Sequence, residues 1–193
     1  MIVVFIQFKG SLVSMEENMS DFKDRIIRAA KLDVSLYEEV EADTTALKQA
    51  MLVVVLSSIA AGIGTIAKGG LSGIIIGAIL ALIGWYIWAY ITYFIGARLL
   101  PEPQTKADHG ELLRTIGFSS SPGLIRILCV IPGLLGVVSI IASIWMLIAM
   151  VVAVRQALDY QSTLRAVAVC IIGWIIQSLF FVVLFSIIGN IFK

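Results

Sequence analysis

The sequence predicts an all-α protein: a polytopic transmembrane bundle of about five helices, preceded by a short amphipathic N-terminal region. Hydrophobic residues make up 60% of the 193 residues and charged residues 14%, against about 45–50% and about 25% in an ordinary soluble domain. Several uncharged apolar runs also reach about 20 residues, the length at which a helix crosses the hydrocarbon core of a bilayer. The net charge of +1 gives no indication of a nucleic-acid partner.

Residues 1–46 are predicted to form a cytosolic region. Its initial apolar run, MIVVFIQF, is too short to cross a membrane, and residues 1–18 are either structural or an artefact of translation starting upstream of Met19. After Met19 the run SDFKDRIIRAAKL predicts a basic amphipathic helix, which either lies on an anionic membrane surface or covers the bundle. The acidic stretch that follows, Asp33–Asp43, is expected to be a solvated face.

Residues 47–193 are predicted to form the membrane domain. Its third apolar segment is short, because the roughly ten residues between Pro122 and Gly133 give about 15 Å of α-helical rise against about 30 Å of hydrocarbon. We therefore expect this segment to be kinked, extended or half-buried. The other four spans are approximately Leu47–Ala67, Leu71–Ala97, Leu134–Val154 and Ala166–Gly189.

The placement of Lys and Arg favours five crossings with a cytosolic N-terminus and the C-terminus on the opposite side. If the third segment crosses, twelve of these residues lie on the N-terminal side and only Lys68 and Lys193 lie opposite. If it does not cross, the division is eleven against three. Lys68, Gly69 and Gly70 themselves predict a tight turn between the first two spans.

Small and amide-bearing residues inside the spans are candidate helix-packing residues. Gly73, Gly77 and Ala81 recur at helical spacing in the second span, and small residues at this spacing let helix backbones approach closely. Packing within the chain is the simpler interpretation, and formation of a homo-oligomer is the alternative. Gln177 and Ser178 lie near the middle of the fifth span, where such groups form hydrogen bonds between helices.

The region that joins the second and third apolar segments holds aromatic residues and the single histidine. Tyr86, Tyr90 and Tyr93 share one helical face near the end of the second span, as is typical of residues at a membrane interface. His109 is expected to be exposed to solvent in the loop that follows. Residues 110–118 are predicted to form a short amphipathic helix.

No catalytic motif is found in the sequence. It contains no phosphate-binding loop, nucleophile elbow or zinc-protease helix, and Cys129 and Cys170 with His109 do not make a metal site. Both cysteines lie in apolar segments, where a free thiol behaves as a small hydrophobic group. We therefore expect no enzymatic activity, no cofactor and no nucleic-acid binding.

Four charged residues are candidate interaction or lipid-headgroup residues: Arg126, Arg155, Asp159 and Arg165. Under the five-crossing topology we expect them to form a polar focus on the cytosolic face. Arg155 and Asp159 meet across one turn if the helix continues through both. An arginine binds a phosphate or carboxylate in bidentate fashion, whereas plain positive-inside anchoring accepts any cation.

A family resemblance emerges from the second half of the chain. The run Gly117-Phe118-Ser-Ser-Ser-Pro122, the break at Ile131-Pro132-Gly133, Trp145 and the run VAVRQALDYQSTLRAV resemble the Yip1-domain membrane proteins. The resemblance covers roughly residue 36 to the C-terminus. It implies five transmembrane helices, a cytosolic N-terminus and an outward C-terminus.

The resemblance also implies partners. Eukaryotic members take part in vesicle traffic and bind Rab-type GTPases, and they carry an Asp-Leu-Tyr-Gly-Pro motif before the first span. Here Asp33-Val-Ser-Leu-Tyr37 is followed by two glutamates. This departure argues against GTPase binding and indicates a relative of prokaryotic type.

Two functional hypotheses follow. The first is a non-enzymatic membrane scaffold or interaction protein that acts through membrane lipids, other membrane proteins or a second copy of itself. The second is a small transporter or channel subunit that uses the broken third segment together with Gln177 and Ser178.

Overall fold

The computed structural model describes residues 18–63 and 66–191, and all regular structure within these ranges is helical, as predicted. The initial run MIVVFIQF and Lys193, on which two of the predictions above rest, lie outside these residues. The elements in chain order are α1 (18–30), α2 (Val34–Ala42), a 3₁₀ turn (Thr44–Ala46), α3 (Leu47–Ile63), α4 (Ile66–Tyr93), a π-helical turn (Phe94–Leu99), α5 (His109–Phe118), a 3₁₀ helix (Ser121–Val130), α6 (Leu135–Ala157) and α7 (Thr163–Ile191).

Three helical stretches of the described chain are long and apolar enough to cross a membrane: Thr44–Ile63, Gly70–Leu99 and Leu135–Ala157. They correspond to the predicted first, second and fourth spans. The predicted fifth span begins within α7, whose part Thr163–Leu179 is also apolar. A protein with several membrane-spanning helices is thus supported, and the count of five stays a prediction.

Two glycines form the predicted breaks between helices. Gly70 has φ 58° and ψ −167°, a conformation open only to glycine, and it interrupts α4 where the turn between the first two spans was predicted. Gly133 has φ 87° and lies in the turn between the 3₁₀ helix and α6. Both breaks therefore arise from backbone conformations that a side chain would strain.

The short third segment adopts a 3₁₀ helix rather than an α-helix. A 3₁₀ helix rises about 2.0 Å per residue, so the ten residues Ser121–Val130 cover about 20 Å instead of about 15 Å. Their neighbours on α6 show how far they reach: Arg126 bonds Ser143, and the Cys129 thiol lies 3.9 Å from the carbonyl oxygen of Leu135. The segment therefore runs antiparallel to α6 as far as its first turn.

Glycines let this third segment lie directly against α3. A Cβ atom on Gly117 would lie 2.7 Å from the Cβ of Ala50, and a Cβ on Gly123 would collide with the hydroxyl of Ser57. Since residues 50 and 57 are about 10 Å apart along α3, the segment advances beside α3 in the same direction. The chain from α5 through the 3₁₀ helix thus fills the space between α3 and α6.

The basic helix α1 covers the acidic helix α2 through ion pairs. Arg25 contacts Glu39 and Asp43 at 3.0 and 2.9 Å, and Arg28 contacts Asp33 and Glu39 at 2.9 and 2.7 Å. The expected solvated acidic face is therefore largely engaged by α1. These ion pairs place α1 against the bundle, and its binding to a membrane surface stays a prediction.

Candidate functional sites

One end of the helical bundle carries α2, the loop of residues 100–108 and the turn of residues 158–162. We call it the α2 end. At this end α6 stops at Ala157 in a Schellman motif. The N–H of Tyr160 donates to the carbonyl oxygen of Arg155 at 2.9 Å, and the N–H of Asp159 donates to that of Gln156 at 2.8 Å. Asp159 takes the left-handed position, with φ 52°, which glycine usually occupies.

Because the helix ends here, the predicted meeting of Arg155 and Asp159 across one helical turn does not occur. The Arg155 guanidinium instead donates to the carbonyl oxygens of Tyr160 and Gln161 at 3.1 and 3.3 Å. The Asp159 carboxylate accepts from the backbone N–H of Lys106 at 3.4 Å. Arg155 therefore stabilises the turn, and Asp159 faces the loop.

The loop is fastened to the same turn by polar side chains. The Gln104 amide donates to the carbonyl oxygen of Asp159 at 2.9 Å, and the Thr105 hydroxyl donates to that of Leu158 at 2.8 Å. The Glu102 carboxylate accepts the N–H of Gln161 at 2.9 Å, and this bond is the largest cause of the lowered pKa of Glu102.

Arg165, the third predicted residue at this end, contacts the same loop. Its guanidinium lies 3.5 Å from the Glu102 carboxylate and donates to the carbonyl oxygen of Pro101 at 3.2 Å. Arg155, Asp159 and Arg165 are therefore brought together, although each bonds the backbone or the loop rather than one another.

Two buried side chains complete the frame of the α2 end. The Tyr160 hydroxyl bonds the carbonyl oxygens of Gly96 in the π-helical turn and of Leu100, the residue that follows it. The Arg114 guanidinium donates to the carbonyl oxygens of Val40 and Glu41 at the C-terminus of α2, where free carbonyls and the helix dipole favour a cation. Four separate segments are thus locked into one platform.

A polar groove of about 930 Å³ lies on this platform, between α2, the loop, α5 and the turn. Four of its lining residues are acidic: Glu38, Glu41, Glu111 and Asp159. The Glu41 carboxylate forms no hydrogen bond or ion pair with the residues that the structure describes. Burial, followed by repulsion from the other three carboxylates, raises the pKa of Glu41 to about 7.

Arg126 lies elsewhere. Its guanidinium donates to the hydroxyl of Ser143 at 3.1 Å, and Ser143 is twelve residues, or about 18 Å of helix, from Arg155 on α6. Arg126 is therefore not part of the cluster predicted at the cytosolic face. It lines a second cavity, of about 580 Å³, which we call the central cavity.

The predicted helix-packing residues divide between the central cavity and the outer surface. Gly73, Gly77 and Ala81 line the cavity together with the half-buried Gln177, and no atom lies within 4 Å of a Cβ built at Gly73 or Gly77. Ser178 is exposed on α7. Their role in helix packing stays a prediction.

His109 is half-buried, not exposed as expected. Its ring makes edge contacts with Tyr86, Tyr90 and Tyr93, with centroids 5.0, 5.7 and 6.3 Å away. Both ring nitrogens are buried and have no hydrogen-bond partner among the described residues. Burial lowers the pKa of His109, with the Asp108 carboxylate opposing the shift.

The family follows from a comparison with protein-family models. The model described as Yip1 domain matches residues 36–185 of the chain, which is most of its length. This chain is a member of the Yip1-domain family. A search of curated proteins and a search of solved structures find no match.

The residues that suggested the family hold the third segment of this Yip1-domain protein in place. Gly117 admits Ala50 of α3, Phe118 is fully buried in the cluster beneath α2, and Pro122 lies in the first turn of the 3₁₀ helix. Trp145 donates its indole N–H to the carbonyl oxygen of Ala30 at 2.8 Å and so fixes the end of α1 on α6. These side chains therefore serve the architecture.

Sequence reasoning missed several residues of the Yip1-domain platform. Glu102, Gln104 and Thr105 belong to a proline-broken polar loop, and only that polarity distinguished them from other loops. Arg114 carried a sharper signal, since a cation in the amphipathic helix 110–118 needs a partner where the helix is buried. Tyr160 carried none, because its partners are about sixty residues away in sequence.

Proposed function

We propose that this Yip1-domain protein catalyses no reaction and acts as a membrane scaffold or interaction protein through protein or lipid contacts. The observation that supports this most is the polar groove at the α2 end. Four chain segments build it, and it leaves the half-buried Glu41 carboxylate without a partner among the described residues. A rigid, charged groove of this kind suits recognition of a partner.

The charges of the groove indicate which partner fits. Lys106 and Arg155 also line it, but the Arg155 guanidinium already donates to two carbonyl oxygens of the turn. A cationic segment of another membrane protein would relieve the repulsion that Glu41 experiences from its acidic neighbours. Binding of a GTPase is not part of the proposal, because the Gly-Pro of the eukaryotic motif is missing after Tyr37.

The proposed orientation puts the groove in the cytosol. The N-terminus and the turn of residues 158–162 would lie on the cytosolic side, and the C-terminus on the opposite side. The excess of Lys and Arg at the α2 end supports this orientation. The Gln156 amide, next to the turn, also donates to the Glu38 carboxylate of α2 at 3.0 Å. This bond keeps the turn on the same side as the N-terminal region.

The test is affinity capture in mild detergent, with co-purifying proteins and lipids identified together for the wild type and Glu41→Gln. Glu41→Gln removes the unpartnered charge but keeps the shape, so we expect it to lose a defined set of proteins. Asp24→Asn on α1, where the carboxylate is 62% exposed, is the matched control and should lose none. An identical set for all three chains would contradict a role for the groove.

A second candidate function, a small transporter or channel subunit, is favoured by one observation. The central cavity brings Arg126 and Gln177 together inside an apolar bundle, and polar groups at that depth are common in transport pathways. Arg126-dependent flux of a solute into reconstituted liposomes would favour this candidate over a scaffold.

A further inference from the structure

The central cavity lies between the apolar helices, opens at the surface where Gly73 and Gly77 are exposed, and carries a polar side. It is lined by α3, α4, α6, α7 and the segment from α5 through the 3₁₀ helix. Its polar side chains include Arg126, Gln177 and Ser57. Such groups lose hydration when they are surrounded by apolar helices, and they gain free energy from any ligand that restores their hydrogen bonds.

Two of these polar groups lack partners. Ser57 is 4% exposed and Gln177 is half-buried, yet neither side chain forms a hydrogen bond with a residue that the structure describes. Both side chains therefore keep hydrogen-bonding capacity for a ligand in the cavity. The cavity thus offers a hydroxyl and an amide that a bound ligand could use as hydrogen-bond partners.

The charge of the cavity is also unbalanced. Arg126 is half-buried and contacts the neutral hydroxyl of Ser143. Among the described residues it makes no ion pair, and no Asp or Glu lines the cavity. A guanidinium in an apolar environment needs a counter-charge, so the missing group is an anion.

The wall that α4 contributes to the cavity is apolar and largely without side chains. Gly73, Gly77 and Gly84 on α4 line the cavity, and a Cβ atom built at any of them meets nothing within 4 Å. The missing side chains leave a strip of backbone bordered by Ala81 and Ile74. A strip of this kind accommodates a hydrocarbon chain and offers little to a small hydrophilic anion.

We propose that the central cavity binds one anionic phospholipid, with its phosphate on Arg126 and an acyl chain along the glycine strip of α4. The guanidinium binds the phosphate oxygens in bidentate fashion. Ser57 and Gln177 donate to the remaining oxygens of the headgroup. The site is independent of the groove at the α2 end, so its failure leaves the proposed function standing.

Native mass spectrometry of the full chain in mild detergent tests the proposal, with phosphatidylglycerol and phosphatidylcholine of equal chain length as probes. We expect one phosphatidylglycerol per chain, bound about tenfold or more tightly than phosphatidylcholine. Arg126→Gln should abolish this preference and Arg126→Lys should weaken it, because an ammonium binds phosphate as a point charge. Arg98→Gln, at an exposed cation, is the matched control and should keep it.

A second variant covers the case in which Arg126→Gln does not fold. Gly77→Leu places a side chain into space that is empty within the chain, so it should fold and exclude the acyl chain. Retention of phosphatidylglycerol by Gly77→Leu, or by folded Arg126→Gln, would overturn the proposal. Equal binding of both lipids by the wild type would do the same. Binding of inorganic phosphate with an affinity equal to that of the lipid would assign the site to a soluble anion and would overturn the lipid assignment.

Discussion

The hydroxyl of Tyr160 lies 2.7 Å from the carbonyl oxygen of Leu100, and this contact joins the turn between α6 and α7 to the end of the π-helical turn. The same hydroxyl lies 3.0 Å from the carbonyl oxygen of Gly96. Tyr160 is 3% exposed, and burial raises its pKa to about 12, so the hydroxyl remains a donor at neutral pH. Carbonyls at a helix end have no partner in their own helix, and Tyr160 supplies one.

Removal of this donor should destabilise the α2 end. Tyr160→Phe removes the single hydroxyl proton that the carbonyl oxygens of Gly96 and Leu100 share, and we expect a loss of about 1–2 kcal/mol in stability. Thermal unfolding in detergent measures it. Tyr90→Phe is the control, because Tyr90 is 57% exposed. An unfolding midpoint equal to that of the control would show that the bond contributes nothing.

The effect of replacing Asp159 should depend on whether the new residue adopts its backbone conformation, and not on whether it carries a charge. Its φ of 52° costs about 1–2 kcal/mol for most residues, whereas Gly and Asn adopt it readily. We expect Asp159→Asn to keep the unfolding midpoint and Asp159→Ala to lower it. If Asn and Ala lower it equally, the carboxylate matters and the conformational explanation is wrong.

Gly117 should be required for the contact between the third segment and α3. Gly117→Ala puts a methyl group 2.7 Å from the Cβ of Ala50 and 3.1 Å from its carbonyl oxygen, which forces the segments apart at a cost of about 1–3 kcal/mol. Ala50→Gly in the same chain should restore part of the loss. Gly136→Ala, with open space around it, should have little effect on the unfolding midpoint. If Ala50→Gly restores none of the lost stability, the loss does not come from the contact between residues 117 and 50.

His109 should make the protein less stable in acid. Burial lowers its pKa below the ordinary value of 6.5, so the histidine of the unfolded chain takes up a proton before that of the folded chain. Stability is complete above pH 6.5 and falls as the pH drops below it. Replacement by Phe removes the titrating group and keeps a ring among the tyrosines. Unfolding midpoints between pH 5 and pH 8 should therefore depend less on pH in His109→Phe, and an unchanged slope would refute this.

The spans and the short amphipathic helix were predictable because their signals are local. Apolar runs defined α3, α4 and α6 to within a few residues, and glycine conformations at Gly70 and Gly133 placed the breaks. The geometry of the turn that ends α6 was not predictable, since Asp159 occupies the left-handed position that glycine usually takes. A sequence without that glycine permits the helix to continue, and the expected pair with Arg155 rested on that continuation.

The candidate sites were less predictable because they depend on packing between distant segments. The prediction that Arg126 lies near Arg155 and Arg165 required Arg126 to stay at the cytosolic end of the third segment. The segment instead runs antiparallel to α6, so Arg126, near its middle, lies beside Ser143. The tyrosines around His109 likewise required α5 to pack on α4, which no local pattern specifies.

Single-cysteine labelling in intact cells tests the central claim, that the 3₁₀ segment takes the chain across the membrane and returns the α6–α7 turn to the side of the N-terminal region. In a background of Cys129→Ala and Cys170→Ala, an impermeant maleimide would be applied to Gln161→Cys and, separately, to Asp24→Cys. Both positions are exposed. We expect both cysteines to remain unlabelled until the membrane is permeabilised, after which both should react. Labelling of Gln161→Cys from outside the intact membrane, with Asp24→Cys still protected, would contradict it.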